Sequence, residues 1–178
     1  MKSTTLSSLL VIICLSLIFF APIPTLCSKL YETICSEAKE EANDCLNILK
    51  NNSKITSATN YLDISKSILE MAIVKATEAQ AFIVEFSNQH ATHAIRQCGT
   101  AFYTDTIHFF TDSLDEIDRN DFLGANDDAE RASSGVSDCD ENILKLDKKD
   151  YPEINSLNKG VYLLSEIAYL ATKHLIHK

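Results

Sequence analysis

Apolar and small residues recur at steps of three and four along most of this chain, and little interrupts them. The pattern is clearest after Asp121, where polar residues fill the positions between the members of the series. Its members are Phe122, Ala125, Ala129, Ala132, Val136, Cys139, Ile143 and Leu146. This spacing predicts one amphipathic helix with a narrow apolar seam. After Cys27 the chain contains only one proline, Pro152, and four glycines, so long helices are permitted almost throughout.

Three other segments have the same helical period. One starts after Thr59-Asn60, the next passes through Cys98, and the last follows Pro152. Their apolar positions are Tyr61, Ile64, Ile68, Met71, Ala72, Ala79, Ile83 and Phe86; then Ile95, Cys98, Phe102, Phe109 and Ile117; then Leu157, Val161, Leu164, Ala168, Ala171 and Leu175. Four long amphipathic helices with short polar connections predict an all-α, up-down-up-down four-helix bundle over residues 59–178.

The segment 1–27 has the layout of a secretory signal peptide. Lys2 precedes an apolar run of twelve residues, Leu9 to Phe20, and a proline-broken stretch follows. Thr25 and Cys27 occupy the small-residue positions of a cleavage site, which predicts a mature chain that spans 28–178. The run is shorter than the roughly 20 residues of a membrane-spanning helix. We therefore predict an extracellular protein without a membrane partner after cleavage.

The mature chain retains Cys35, Cys45, Cys98 and Cys139, and an even number in an oxidising compartment predicts disulfides. Four cysteines allow three pairings. If the second and third bundle helices turn near Arg119, Cys98 and Cys139 lie at nearly equal sequence distances before and after the turn. Both then lie about 30 Å from the turn, and a disulfide needs α-carbons within about 7 Å. This register predicts Cys98–Cys139 and leaves Cys35–Cys45 to close a helical hairpin at 28–52.

The mature chain is strongly acidic. It contains all 25 acidic residues and 15 of the 16 basic ones, so its formal charge is 15 − 25 = −10. This charge disfavours nucleic acid and anionic membranes as partners and favours a basic protein, although acidity alone also keeps a secreted protein soluble. Asn51-Asn52-Ser53 is a glycosylation sequon that would place a glycan on Asn51.

The sequence contains no convincing catalytic or metal-binding constellation. His90 and His93, like His174 and His177, have the spacing of helical metal ligands, but neither pair has a completing glutamate, histidine or cysteine group. No small-residue elbow surrounds a serine. We therefore predict a protein that is not an enzyme and that binds no metal or cofactor.

The order of these features resembles one known family. A secretory leader precedes the Cys35-x9-Cys45 hairpin, Cys98 follows near the start of the second bundle helix, and an aliphatic helix ends the chain. Between them, Asp121-Phe122-Leu123-Gly124-Ala125-Asn126 leads through Ala132-Ser133-Ser134 to Asp138-Cys139-Asp140. The whole mature chain resembles the plant invertase/pectin methylesterase inhibitor family, and the stretch around Asp121 is also similar to its pollen-allergen branch.

The resemblance implies inhibition of a cell-wall carbohydrate-active enzyme by stoichiometric occlusion of its substrate cleft, in the apoplast. Invertase inhibitors share a Pro-Lys-Phe tripeptide, whereas the matching positions here read Asn120-Asp121-Phe122. This difference favours pectin methylesterase as the target, with invertase as the alternative. The candidate target-binding residues are Asp112, Asp115, Asp121, Phe122, Asn126 and Asp127 on the solvent faces of the second and third bundle helices. A small-ligand carrier with a cavity inside the bundle is the alternative from another class.

Overall fold

The computed structural model describes residues 29–90, 92–146 and 151–176, and every regular element in these ranges is helical, as predicted. The α-helices are α1 (Leu30–Glu37), α2 (Ala42–Leu49), α3 (Ser53–Thr56), α4 (Tyr61–Gln89), α5 (His93–Gln97), α6 (Tyr103–Asp118), α7 (Phe122–Leu146) and α8 (Pro152–Ile176). A 3-10 turn, Lys39–Glu41, joins α1 to α2, and a π-helical turn, Cys98–Phe102, joins α5 to α6. The predicted signal peptide lies outside the described residues. None of the helices described is both long enough and apolar enough to span a membrane.

Four helices close into a ring around one core. Contacts join α4 to α6, α6 to α7, α7 to α8, and α8 back to α4. Ala125, Ala129, Ala132, Val136 and Cys139, which the sequence placed on one seam of α7, are all buried. The ring is the predicted four-helix bundle, and it is preceded by the predicted hairpin of α1 and α2.

Side-chain caps fix the residues at which α3 and α4 begin. The side chain of Asn60 accepts a hydrogen bond from the backbone N–H of Asp63 at 2.9 Å, which satisfies a free donor at the start of α4. Asn52 likewise accepts from Lys54 N at 3.0 Å and starts α3. The polar connection between the hairpin and α4 therefore contains a short helix, α3, and its Ile55 is buried in the core.

Close packing of α7 on the π-helical turn depends on Gly135. A Cβ atom at this position would lie 2.2 Å from the carbonyl oxygen of Phe102 and 2.4 Å from Oγ1 of Thr106. Carbon and oxygen atoms do not approach this closely without a bond between them, so only glycine fits here without a shift of the backbone. Gly135 thus has a packing role.

Both predicted disulfides are present. Cys35 and Cys45 join α1 to α2 with α-carbons 5.4 Å apart, and Cys98 joins Cys139 on α7 with α-carbons 4.9 Å apart. Both bonds lie in the core, since all four cysteines are buried. The antiparallel register that placed Cys98 and Cys139 at equal heights is confirmed.

A polar network lies beside the Cys98–Cys139 disulfide, with Nδ2 of Asn158 3.3 Å from the sulfur of Cys139. The Tyr103 hydroxyl donates to Oδ1 of Asn158 at 2.7 Å, and Nδ2 of Asn158 donates to Oδ1 of Asp140. Burial raises the pKa of Tyr103, and it also raises the pKa of Asp140, against the lowering effect of the Asn158 hydrogen bond. The network links α6, α7 and α8 with its polar groups mutually satisfied.

Candidate functional site

The connection between α6 and α7 is short and tightly hydrogen-bonded. Asn120 has a φ of 62°, in the left-handed region that asparagine tolerates better than most residues. The N–H of Asn120 donates to Ile117 O at 3.0 Å, and the N–H of Asp121 donates to Glu116 O at 2.9 Å. Asp121 then caps α7, because its Oδ1 accepts from the N–H of Gly124 at 3.1 Å. The turn therefore holds the end of α6 against the start of α7.

Five of the six candidate target-binding residues reach the surface within about two helical turns of this connection. Asp115, Asp121 and Asp127 are exposed. Asp112 is half-buried and bonds Nδ1 of His108 at 2.6 Å, while Phe122 is half-buried against the core. The chain thus presents several carboxylates at one end of the bundle.

Asn126 is not at the surface, contrary to the expectation from the sequence. Its side chain is 6% exposed and donates to the carbonyl oxygen of Tyr169 at 2.8 Å and to Oγ1 of Thr172 at 2.9 Å. These bonds tie α7 to α8 inside the bundle, so Asn126 is a structural residue. It is excluded from the candidate site.

Leu123 is also exposed beside this connection, although the sequence pattern did not single it out. Its side chain is 62% exposed between Asp121 and Asp127 on the first turns of α7. We call Asp112, Asp115, Asp121, Leu123 and Asp127 the turn face. The signal for Leu123 was its position: it is a large apolar residue one step off the buried seam of α7.

Glu116 lies beneath the turn face, with its carboxylate crowded by other acids. A Cβ atom on Gly124 would lie 2.7 Å from its Oε1, and the other oxygen, Oε2, is buried without a hydrogen bond among the described residues. Burial raises the pKa of Glu116, and the negative charges of Asp128 and Asp121 raise it further, while Arg119 opposes them. The carboxylate of Glu116 therefore lies close to other carboxylates at this end of the bundle.

Replacing Glu116 with glutamine is expected to raise the free energy of unfolding at pH 7, because it removes a carboxylate charge that burial and the charges of Asp128 and Asp121 disfavour. The folded pKa of Glu116 lies above the usual value of 4.5, so ionisation weakens the fold increasingly as the pH rises through the raised value. The gain should shrink at pH 4, where the wild-type carboxyl is largely protonated in both states. Urea unfolding of both proteins at the two pH values measures this, and an equal gain at both would contradict it.

The histidine pairs of the sequence do not form a metal site within the part of the chain that the structure describes. Among the described residues no three histidine, cysteine or acidic side chains are placed to hold a metal ion. His174 bonds Oε1 of Glu37 at 2.8 Å and stacks on Tyr61, while His177 lies outside the described residues. His90 stacks on Phe86 with ring centroids 4.2 Å apart. His90 and His174, one from each pair of closely spaced histidines, are thus in contact with other side chains of the protein.

Comparisons with known proteins identify the fold. No family model matches the chain, and no curated protein matches it. A solved mutant form of a pectin methylesterase inhibitor from Arabidopsis superposes with a TM-score of 0.70 at 19% identity, over 82% of this chain and 97% of that chain. A pectin methylesterase inhibitor from Arabidopsis thaliana gives 0.60 at 19% identity, over 84% and 98%. This chain has the pectin methylesterase inhibitor fold.

The match confirms the inhibitor resemblance at the level of the fold. It extends over nearly the whole length of both solved inhibitors. At 19% sequence identity the likeness concerns the fold alone. A proposal about the target enzyme therefore depends on the residues of the turn face.

Proposed function

We propose that the chain is an extracellular plant protein that inhibits a pectin methylesterase, with its turn face laid over the substrate cleft of the enzyme. The observation that carries the proposal is the combination, at one end of an inhibitor fold, of exposed carboxylates with an exposed leucine. The two buried-cysteine disulfides support an oxidising, extracellular location. Asn51 is exposed beside α3, where a glycan could be carried without entering the core.

Charged and apolar side chains are expected to have different roles at the proposed interface. Carboxylates at the rim attract a basic partner and speed the encounter, and a large apolar side chain at the centre contributes most to the lifetime of the complex. The exposed Asp115 and Asp127 suit the first role, and Leu123 suits the second. A basic pectin methylesterase is the partner that fits the acidic balance of the mature chain.

Invertase remains the alternative target, and the position of Phe122 disfavours it. The resemblance implies that an invertase inhibitor inserts the phenylalanine of its tripeptide into the sugar pocket of the enzyme, which requires a projecting ring. The ring of Phe122 is instead half-buried and packs on the core. The preceding residues, Asn120 and Asp121, are fixed by the turn and by the cap of α7. A sucrose-cleavage assay with Phe122→Ala tests this alternative directly, because insertion would depend on that ring.

The carrier alternative has one feature in its favour. An apolar groove of about 300 Å³ lies between α2, α4 and α8, at the surface of the bundle and not inside it. Its apolar lining includes Met71, Leu157, Val161 and Leu164. Lipid bound to the purified protein in a native mass spectrum would favour this function over inhibition.

Charge removal on the turn face tests the proposed function. The double variant Asp115→Asn/Asp127→Asn and the single variant Leu123→Ala are each expected to raise the inhibition constant about tenfold, a loss of about 1.4 kcal/mol. Release of methanol from pectin at mildly acidic pH, with recombinant oxidised protein, is the measurement. Stability should hardly change, because all three side chains are exposed.

A matched control removes the same charge elsewhere. Glu85 near the end of α4 and Glu153 near the start of α8 are exposed at the opposite end of the bundle from the turn face. Glu85→Gln/Glu153→Gln should inhibit within about twofold of the wild type, since screening removes most long-range effect at physiological salt. Equal losses in both double variants would show that net charge acts alone and would overturn the turn face as the docking site.

A further inference from the structure

An apolar groove lies where α8 closes onto α4, with α2 along its border. Its volume is about 300 Å³, at the lower end of the range of small-molecule sites. Ala79, Val161 and Leu164 are buried and form its floor, while Met71 and Leu157 are half-buried at its sides. The groove therefore keeps apolar surface in contact with water, and a ligand that covers this surface gains the free energy of its burial.

Gly160 keeps the groove open on the side of α8. A Cβ atom at this position would meet no atom within 4 Å, in contrast to Gly135, where close packing excludes a side chain. Glycine is unfavourable in the interior of a helix, and neither a close approach nor a positive φ requires it here. Packing therefore does not explain Gly160, whereas space for a ligand does.

One cation lies at this groove in an otherwise acidic protein. Lys75 is the only charged residue in the lining that the structure describes, and Ser156 is the other polar side chain there. The chain has 25 acidic residues, but none of the described ones lines the groove. Nζ of Lys75 lies 2.7 Å from Oε2 of Glu78 on the same helix, and both side chains are more than half exposed. Such exposed pairs contribute little, so the ammonium group is available to an anionic ligand.

We propose that this groove binds a straight-chain fatty acid, with the acyl chain along Ala79, Gly160 and Leu164 and the carboxylate at Lys75. An apolar chain with one negative end matches an apolar lining with one positive charge. Another helix is about 10 Å across with its side chains and does not fit a groove of this volume. A second copy of this chain is disfavoured, because two strongly acidic molecules repel each other.

The fatty-acid site is separate from the turn face. The groove lies on the α4–α8 side of the ring, whereas the turn face lies at the connection between α6 and α7. The protein loaded with dodecanoate should therefore inhibit a pectin methylesterase within about twofold of the free protein, which distinguishes a second site on an inhibitor from a carrier that replaces inhibition. Binding is measured without an enzyme, so failure of the site and failure of inhibition are recognised separately.

Isothermal titration of the mature, oxidised protein with dodecanoate, below the concentration at which it forms micelles, tests the site. We expect one molecule bound per protein, and decanoate should bind about fivefold more weakly because it buries fewer methylene groups. Gly160→Leu should fill the groove without a clash and weaken dodecanoate binding about tenfold. Lys75→Gln should weaken dodecanoate binding about threefold and leave the binding of dodecanol, which has no charge, unchanged.

Val74→Ala is the matched control. Val74 is a 53% exposed apolar residue of α4 that lies outside the groove lining. Its dodecanoate affinity should equal that of the wild type, whereas unspecific binding to exposed apolar side chains would weaken in this variant. Absence of saturable dodecanoate binding by the wild type would overturn the proposal, and so would wild-type affinity in Gly160→Leu. Equal losses for dodecanoate and dodecanol in Lys75→Gln would overturn the placement of the carboxylate at Lys75.

Discussion

Replacing Gly135 with alanine is expected to lower the free energy of unfolding by about 3 kcal/mol, the upper part of the usual range for overpacking a core. The added methyl group would lie 2.2 Å from a carbonyl oxygen of the π-helical turn, which is backbone and cannot rotate away. The gain in helix propensity from glycine to alanine, about 1 kcal/mol, offsets only part of this cost. Urea unfolding followed by circular dichroism measures the difference.

Gly160 provides the same substitution in an open position. It also lies in the interior of a long helix, α8, but a Cβ atom there would meet nothing within 4 Å. Gly160→Ala should therefore raise the free energy of unfolding by about 0.5 to 1 kcal/mol, the full propensity gain. The two variants should change stability in opposite directions. A Gly135→Ala protein as stable as the wild type would show that α7 does not approach Phe102 as closely as the structure has it.

Loss of the Cys98–Cys139 disulfide is expected to cost about 4 kcal/mol, the largest effect of any change considered, on a chain-entropy basis. The bond closes a separation of 41 residues, against 10 for Cys35–Cys45, whose loss should cost about 3 kcal/mol. Cys98→Ala/Cys139→Ala would also leave Asn158, whose Nδ2 lies 3.3 Å from the sulfur of Cys139, without that contact.

Comparing the two double alanine variants by thermal and urea unfolding checks the order of these effects. The Cys35→Ala/Cys45→Ala protein should keep a cooperative transition, because the four-helix core does not depend on that bond. The Cys98→Ala/Cys139→Ala protein should unfold at clearly lower urea concentration. Equal stability of the two variants would contradict the larger contribution expected of the Cys98–Cys139 disulfide, which closes the longer loop.

The bundle and its disulfides could be predicted because both depend on regular geometry. The helical period determined which side of α7 is buried, and the constant rise per residue placed Cys98 level with Cys139 across one turn. The start of α4 was also readable, since Asn60 is a preferred cap and its side chain does accept from Asp63. These features need no knowledge of distant partners.

The candidate site was harder to predict, because it depends on partners far away in the chain. Asn126 was expected at the surface beside Asp127, but its hydrogen-bond partners are on α8, 43 and 46 residues later. Glu37 and His174, separated by 137 residues, meet only after the hairpin docks on α8. Leu123 is exposed because it lies off the buried seam of α7. Its exposure could be assigned only once the helices that pack on α7 were known.

The most direct measurement is a hydrogen-exchange footprint of this protein bound to an active plant pectin methylesterase, taken alongside the residual activity. Equimolar mixing should abolish most methanol release, and amides at the end of α6 and the start of α7 should become protected while those near Glu85 and Glu153 exchange as before. Full enzyme activity at tenfold molar excess over several such enzymes would contradict inhibition. Protection at the opposite end of the bundle, with inhibition intact, would contradict the turn face as the surface that blocks the cleft.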